Sequence, residues 1–223
     1  TNTALHVTPP EGKGLYLGPF GRPELEAVQP LDLDNLVFPL DHLEAMRVLN
    51  IEDVVAVQES ASSHYYTQWG VYQGGMAPTN FLGTVSLSKL YRGDKENGRY
   101  VEDIQELGTH IMLPEARGKG IGTLAKLALA RYCFENYPTH ILQAMTATSN
   151  LPAQASLRKV GFTQIETIDY YNYPEGARTQ IWALSRPDTI DLAGEDVKQQ
   201  LELLAGWYTF KKRAAALRMR QVG

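Results

Sequence analysis

Residues 117–123 have the sequence RGKGIGT, which places three glycines within five residues. The segment follows an alternating, strand-like stretch at residues 104–113 and opens an apolar stretch that reaches about Asn136 and suits a helix packed on a sheet. Glycines let the backbone turn so that successive N–H groups converge on an anion, and a helix N-terminus adds partial positive charge. The sequence therefore predicts a diphosphate-binding loop between a strand and a helix.

Two better-known phosphate-binding loops are excluded at this position. A Walker loop requires Gly-Lys followed by Ser or Thr, but Gly120 follows Gly118-Lys119 here. A dinucleotide-binding fingerprint requires glycine at position 123, which is Thr123. The predicted diphosphate loop is therefore of neither type, and the strands and helices around it have to indicate which fold it belongs to.

Hydrophobic periodicity on both sides of the loop predicts a mixed α/β (α+β) core over residues 42–187. The predicted strands are residues 43–48, 69–72, 81–87, 104–113, 141–146, 162–170 and 179–184. The predicted helices are residues 51–63, about 118–136 and a short one between Asn150 and Gly161. Asn97-Gly98 favours a tight hairpin turn, which predicts antiparallel pairing of the strands on either side. Gly108 lies mid-strand, either as a bulge or as a small residue that lets a neighbour pack closely.

Two predicted extensions flank this core. Residues 1–41 are rich in Pro and Gly, which predicts an ordered but irregular N-terminal arm with short extended pieces. Residues 188–223 predict a C-terminal helical tail, because acidic residues come early in it and basic residues late. The apolar residues that predict its buried face are Val197, Leu201, Leu204, Trp207, Tyr208, Phe210, Ala215 and Met219. Packing on the same chain and packing across a homodimer both satisfy this pattern.

The composition predicts a soluble globular protein, since 43% of the residues are hydrophobic and 21% are charged. Asp and Glu number 25 against 21 Lys and Arg, a formal net charge of -4, which argues against a nucleic-acid partner. Cys133 is the only cysteine, which excludes an internal disulfide and a multi-cysteine metal site and favours a cytoplasmic protein. The most apolar stretch, residues 124–130, is far shorter than the about 20 residues that span a bilayer, so no membrane partner is expected.

A second sequence motif lies farther along the chain than the loop. Residues 114–122, PEARGKGIG, are followed by Asn150 and by residues 159–162, KVGF. Together with the order of the predicted elements, these residues resemble the GNAT superfamily of N-acetyltransferases over residues 42–187. The resemblance implies a mixed, mostly antiparallel sheet, flanked by helices, whose central strands splay apart to admit a pantetheine arm. It also implies acetyl-CoA as the co-substrate and an amine as the acceptor, with no metal.

The resemblance also assigns cofactor-binding residues. Those expected around the diphosphate are Arg117, Gly118, Lys119, Gly120, Ile121, Gly122 and Thr123. The backbone of Ile111, Met112 and Leu113 would pair with the pantetheine arm as an added strand, and the Met112 N–H would polarise the thioester carbonyl. Asn150 is expected either beside the cofactor or as a helix cap before Pro152, and the sequence leaves both open.

Acyl transfer to an amine also needs a base for the amine proton and a proton donor for the leaving thiolate. Glu106 and His110 share one face of the predicted strand and are the candidate bases, with a solvated and a core role as the alternatives. Many family members carry a tyrosine acid where this sequence has Leu157. The candidate donors are therefore Tyr170, its neighbour Tyr171, or water.

The resemblance therefore implies transfer of an acetyl group, by direct attack, to a primary amine of a small molecule or of a protein or peptide N-terminus. Two other interpretations stay open: a non-catalytic acyl-CoA-binding sensor, and an interaction module in which the arm and tail bind partners. The resemblance places acceptor specificity in residues 60–69 and 170–176, which are aromatic and polar. Family members that resemble this chain often pair, which favours a homodimer through the tail.

Overall fold

A computed structural model describes residues 4–27, 66–92, 99–111, 113–169 and 178–222. Its strands, in chain order, are β1 (Ala4–Thr8), β2 (Leu15–Gly18), β3 (Tyr66–Tyr72), β4 (Phe81–Arg92), β5 (Arg99–Ile111), β6 (Ile141–Ala147), β7 (Thr163–Asp169), β8 (Arg178–Ser185) and β9 (Arg218–Val222). Its helices are α1 (Arg22–Ala27), α2 (Ile121–Asn136), α3 (Leu151–Val160) and α4 (Val197–Ala215). The strand predicted at residues 43–48 and the helix predicted at 51–63 lie outside the described residues.

The strands form one sheet in the order β7-β8-β6-β5-β4-β3-β2-β1-β9. Neighbours are antiparallel except β5 and β6, which run parallel. A parallel pair needs a long crossover connection, and α2 supplies it. The predicted mixed, mostly antiparallel sheet is confirmed, and so is the antiparallel pairing of the two strands that flank Asn97-Gly98.

The central strands β5 and β6 separate part of the way along their length. They pair at Ile104↔Ile141, Gln105↔Leu142 and Glu106↔Gln143. Beyond Glu106, the described residues show no further pairing between them, although β5 continues to Ile111 and β6 to Ala147. The predicted splay of the central strands is confirmed.

Gly108 is not the position of a bulge. It pairs in regular register with Ser86, and the register between β4 and β5 shifts instead between Lys89 and Leu90. A Cβ atom on Gly108 would lie 2.6 Å from the Ser86 hydroxyl oxygen. Glycine therefore lets the serine side chain pack closely here, which was the second of the two sequence interpretations.

The helix that follows the loop lies in the middle of the core. The helix α2 is apolar on nearly all sides, and its fully covered residues include Ala125, Ala128, Leu129, Ala130 and Cys133. One hydrophobic cluster joins these residues to Trp69 and Leu142 of the sheet and to Phe210 of α4. This packing fixes the N-terminus of α2 against the end of β5, where the predicted site lies.

Both chain extensions enter the sheet. Residues predicted as an irregular arm contain β1 and β2, which pair antiparallel with each other, and β2 pairs with β3. The tail is not one continuous helix, because α4 ends at Ala215 and β9 then pairs along β1. These pairings depend on residues far apart in the chain, which local patterns do not report. The domain division at residues 41 and 187 stays a prediction.

The predicted buried face of the tail helix is partly wrong. Leu201 is 52% exposed and Tyr208 is 63% exposed, whereas Leu203, Phe210 and Ala214 are buried. The buried face is the one that meets α2, α3 and β8 of the same chain, so tertiary packing rather than the helical apolar pattern selects it. Over the described residues, no helix combines the length and the apolar character needed to cross a lipid bilayer.

Candidate functional site

The glycine loop joins β5 to α2 in a conformation that requires glycine. After a short turn at Pro114–Ala116, Gly118 has φ +72 and Gly120, the residue before the first helical turn, has φ +79. Side chains other than glycine rarely adopt these angles. No described side chain caps α2, so the first N–H groups of the helix face outward at the end of its dipole. This geometry suits an anion.

Arg117 is held against the end of β5. Its Nε atom donates a hydrogen bond to the carbonyl oxygen of Ile111 at 3.1 Å. The guanidinium is therefore positioned by the strand rather than by solvent, and it lines the same cavity as the glycine loop. A fixed cation next to free helix N–H groups adds to the attraction for a diphosphate.

A cavity of about 460 Å³ connects the loop, the end of β5 and one side of α3. The predicted site residues that line it are His110, Ile111, Arg117, Gly118, Gly120, Ile121, Gly122, Thr123 and Asn150. Lys119 lines a second cavity of about 520 Å³. The two cavities adjoin, since Gly120, Ile121, Thr123 and Lys159 line both.

The second cavity brings the chain extensions to the loop. The turn between β1 and β2 contributes Lys13, and the end of α4 contributes Arg213. With Lys119 and Lys159, these residues place four cationic side chains around one cavity, whose lining also includes one acidic residue, Glu11. A chain with a formal net charge of -4 thus concentrates positive charge beside the glycine loop.

Two backbone groups predicted to face a pantetheine arm are bonded within the protein. The Ile111 carbonyl accepts from Arg117, and the Leu113 N–H donates to the Leu82 carbonyl at 3.4 Å. Met112 lies outside the described residues. Strand-like pairing of residues 111–113 with an extended ligand stays a prediction, and Met112 is the residue on which it depends most.

Asn150 is the cap of a helix, which was one of its two predicted roles, and its predicted place beside the cofactor stays a prediction. Its side-chain oxygen accepts from the Ala153 N–H at 3.1 Å, which caps α3. The same residue lines the cavity beside the glycine loop. The cap therefore fixes the start of α3, whose first residues line one wall of the cavity.

The two candidate bases experience opposite effects of burial. Glu106 lies at the last paired position of β5 and β6, opposite Gln143, and burial raises the pKa of its carboxyl group. His110 lines the cavity, and burial, followed by the positive charge of Arg117, lowers its pKa to about 4. The imidazole is therefore neutral at neutral pH, and burial favours the proton-accepting form of His110 but the protonated form of Glu106. Tyr170, the predicted proton donor, lies outside the described residues.

Sequence reasoning missed a polar cluster beneath the loop. The Lys126 Nζ atom donates to the Ser156 hydroxyl at 3.1 Å, and Ser156 and Thr123 are hydrogen-bonded through their hydroxyls at 3.0 Å. Both Lys126 and Ser156 line the cavity. The available signal was a lysine within the otherwise apolar stretch 124–130, one helical turn after Gly122.

No metal site accompanies this cavity in the part of the chain that the structure describes, where no group of three or more His, Cys, Asp or Glu side chains is placed to hold a metal ion.

Comparison with known sequences points to one family. Residues 22–163, more than half of the chain, match the family model described as "Acetyltransferase (GNAT) domain". No curated protein sequence matches the chain.

Solved structures share the fold at low sequence identity. RimJ of Mycobacterium smegmatis in complex with CoA-disulfide has a TM-score of 0.65 and 17% identity, over 91% of this chain and 93% of that one. RimL, a ribosomal L7/L12 alpha-N-protein acetyltransferase in complex with coenzyme A, has a TM-score of 0.62 and 15% identity, over 80% and 97%. A spermidine N-acetyltransferase SpeG chimera from Vibrio cholerae and hSSAT has a TM-score of 0.59 and 17% identity, over 77% and 95%.

Proposed function

Because this chain belongs to the GNAT acetyltransferase family, we propose that it transfers an acetyl group from acetyl-CoA to a primary amine of a small molecule or of a protein or peptide N-terminus. The observation that carries the proposal is the meeting of two features in one cavity. The glycine loop at the start of α2 and the end of β5, beyond the last residue that pairs with β6, line the same cavity. Acetyl-CoA has a diphosphate joined to an extended arm, and this pair of features matches those two parts.

The residues at the loop fit the diphosphate. Gly118 and Gly120 have open space where side chains would lie, so their N–H groups can be approached closely. Arg117 supplies a positioned cation, and the uncapped start of α2 supplies N–H donors. The second cavity, with Lys13, Lys119, Lys159 and Arg213 on its walls, offers complementary charge to a 3′-phosphoadenosine group.

Acetyl-CoA supplies the activated acetyl group, and the protein has to manage two protons. In the proposed direct attack, the amine nitrogen bonds to the carbonyl carbon, the carbon–sulfur bond breaks, and the thiolate leaves. Glu106 accepts the amine proton, directly or through water, because its raised pKa makes the carboxylate a better base than an ordinary one. Leu157 is buried and its aliphatic side chain has no acidic group that could donate a proton. The thiolate therefore takes its proton from Tyr170 or from water.

Turnover of acetyl-CoA over a panel of amines tests the proposal. The panel combines polyamines and peptides with free α-amino groups, the two acceptor classes that the names of the solved relatives print. Release of free thiol that depends on both acetyl-CoA and an amine supports the proposal. Calorimetric binding of coenzyme A without turnover on any amine would instead indicate an acyl-CoA-binding module, and absence of binding would contradict the proposed function altogether.

A further inference from the structure

Lys126 is a buried lysine in a helix that is otherwise apolar. It is only 8% exposed, and its neighbours Ala125 and Leu127 are buried as well. Lysines are rarely buried to this extent unless a partner compensates the charge. The position therefore needs a physical explanation beyond helix packing.

The side chain of Lys126 runs back toward the start of α2. Side chains on a helix tilt toward its N-terminus, so a residue lies over the one four positions earlier, which here is Gly122. The Nζ atom is 3.8 Å from the point where a Cβ of Gly122 would be. The ammonium group therefore lies close to the backbone of the glycine loop, and both residues line the cavity.

Ser156 of α3 holds the ammonium in place. It accepts from Nζ at 3.1 Å and is hydrogen-bonded in turn to Thr123 at 3.0 Å. An ammonium has three donors, and among the described residues the hydroxyl of Ser156 is the hydrogen-bond partner found for it. No carboxylate in the described ranges forms an ion pair with it.

The charge of Lys126 is destabilised in the protein alone. Burial lowers the pKa of the lysine to about 8. The N-terminus of α2 adds partial positive charge nearby, which opposes a cation. The other titratable or charged groups that line the same cavity are His110 of β5, Arg117 of the loop and Lys159 of α3, and none of them is acidic.

We propose that the Lys126 ammonium, positioned by Ser156, binds the diphosphate of acetyl-CoA from beneath the glycine loop. This inference rests on the proposed function. It adds to the exposed loop residues a cation that is held between two helices, α2 and α3. It also explains why a lysine is buried where no acidic residue of the described part of the chain pairs with it.

Binding of the diphosphate next to Lys126 should be coupled to the uptake of a proton by the lysine. An anion favours the charged lysine, so binding raises its pKa above the value of about 8 in the free protein. Between the free and bound pKa values, binding takes up a proton. The affinity is then highest below about pH 8, falls as the pH rises from there to the pKa of the complex, and is constant above it. His110 does not interfere, because its pKa of about 4 keeps it neutral in this range.

Calorimetry with acetyl-CoA tests the inference, since its blocked thiol does not titrate. Titrations at about pH 8.5, in two buffers of different ionisation enthalpy, should show proton uptake by the wild type. Lys126→Met should lose that uptake and bind about 10- to 100-fold more weakly at neutral pH, the loss expected for a charge-assisted hydrogen bond. Lys198→Met, which removes an exposed lysine from α4, is the control for net charge and should leave both quantities unchanged.

Thermal unfolding of the ligand-free variants separates binding from a structural role. Methionine fills a similar volume without a buried charge, so Lys126→Met should unfold at the same or a higher temperature than the wild type. Ser156→Ala keeps the Lys126 ammonium but removes the hydroxyl that positions it. This variant should weaken binding less than Lys126→Met does, and its proton uptake should persist. Weaker folding with unchanged affinity would make Lys126 structural only and overturn the inference. Wild-type protein that binds no acetyl-CoA would contradict the proposed function instead.

Discussion

Gly161 and Gly206 are in direct backbone contact. The carbonyl oxygen of each glycine occupies the place where a Cβ atom of the other would lie. Gly161 ends α3 with φ +120, and Gly206 lies in the middle of α4. The tail helix thus crosses the end of α3 with no room for a side chain, which fixes the α3 wall of the cavity from behind.

Replacing Gly206 with alanine tests this contact. Alanine favours a helix by about 1 kcal/mol over glycine, so an uncrowded position would become more stable. Here the added methyl meets backbone that cannot move aside, and we expect a net loss of roughly 1–3 kcal/mol in the free energy of unfolding, measured in urea. Gly21→Ala, where no atom lies within 4 Å of the added Cβ, is the control and should change stability little. A more stable Gly206→Ala variant would show that the helices do not meet as described.

The loop and its flanking elements were predictable because their signals are local, whereas the splay of β5 and β6 was expected only from the family resemblance. Three glycines, a strand pattern before them and an apolar helix after them all lie within residues 104–136. The close approach of Gly161 and Gly206 left no comparable signal, since it joins two segments 45 positions apart (206 minus 161). Lys126 was missed for the same reason, because its burial depends on α3 and not on its own helix.

The sequence pattern of α4 does not predict which of its faces is buried. Leu201 and Leu203 are both leucines near the start of the same helix, yet Leu201 is 52% exposed and Leu203 is 8% exposed. The apolar residues of α4 cover more than one face, so the pattern alone does not select which one meets the core. Contact with α2, α3 and β8 selects it.

The diphosphate loop is tested by two substitutions at Gly120. Both Asp and Asn tolerate a positive φ better than other side chains do, and they have nearly the same shape. Gly120→Asp also places a negative charge where the diphosphate is expected, so it should abolish measurable binding of coenzyme A in calorimetry. Gly120→Asn is the matched control for the added bulk and should weaken binding far less. Equal affinities of the two variants would place the diphosphate elsewhere.

The pH dependence of the rate identifies the base. The active form of Glu106 is the carboxylate, and burial raises its pKa, so the rate should increase with pH through a value above the ordinary Glu pKa of about 4.3. Glu106→Gln keeps the shape but loses the base, and kcat should fall about 10²-fold or more with little change in coenzyme A affinity.

His110→Ala is the parallel measurement. If His110 were the base, the acid limb would lie near its pKa of about 4 and would move in the His110 variant rather than in the Glu106 variant. An unchanged rate of Glu106→Gln at every pH would remove Glu106 from the mechanism.

The predicted homodimer requires point variants rather than a truncation. Deleting residues 195–223 would uncover the core that Leu203 and Phe210 cover, so a loss of solubility would not report on subunits. Leu201 and Tyr208 are exposed on α4, and Leu201→Glu with Tyr208→Glu should convert a dimer into a monomer in light scattering. Thr209→Glu, at an exposed neighbouring position, is the control. A monomeric wild type would end the dimer hypothesis.

Strand β1 receives one of its partners from a distant part of the chain. It pairs with β9, and the hydrogen bond between Arg220 and His6 joins residues 214 positions apart. At about 5–20 residues per second, a ribosome needs roughly 10–40 s to make that intervening length. During this interval one edge of β1 has no partner and is open to pairing with other chains. Once β9 arrives, the outer edge of the sheet carries Arg218 and Arg220, whose charges discourage further strand addition. Pairing with β9 therefore covers an edge of β1 that is open to aggregation while the intervening residues are being made.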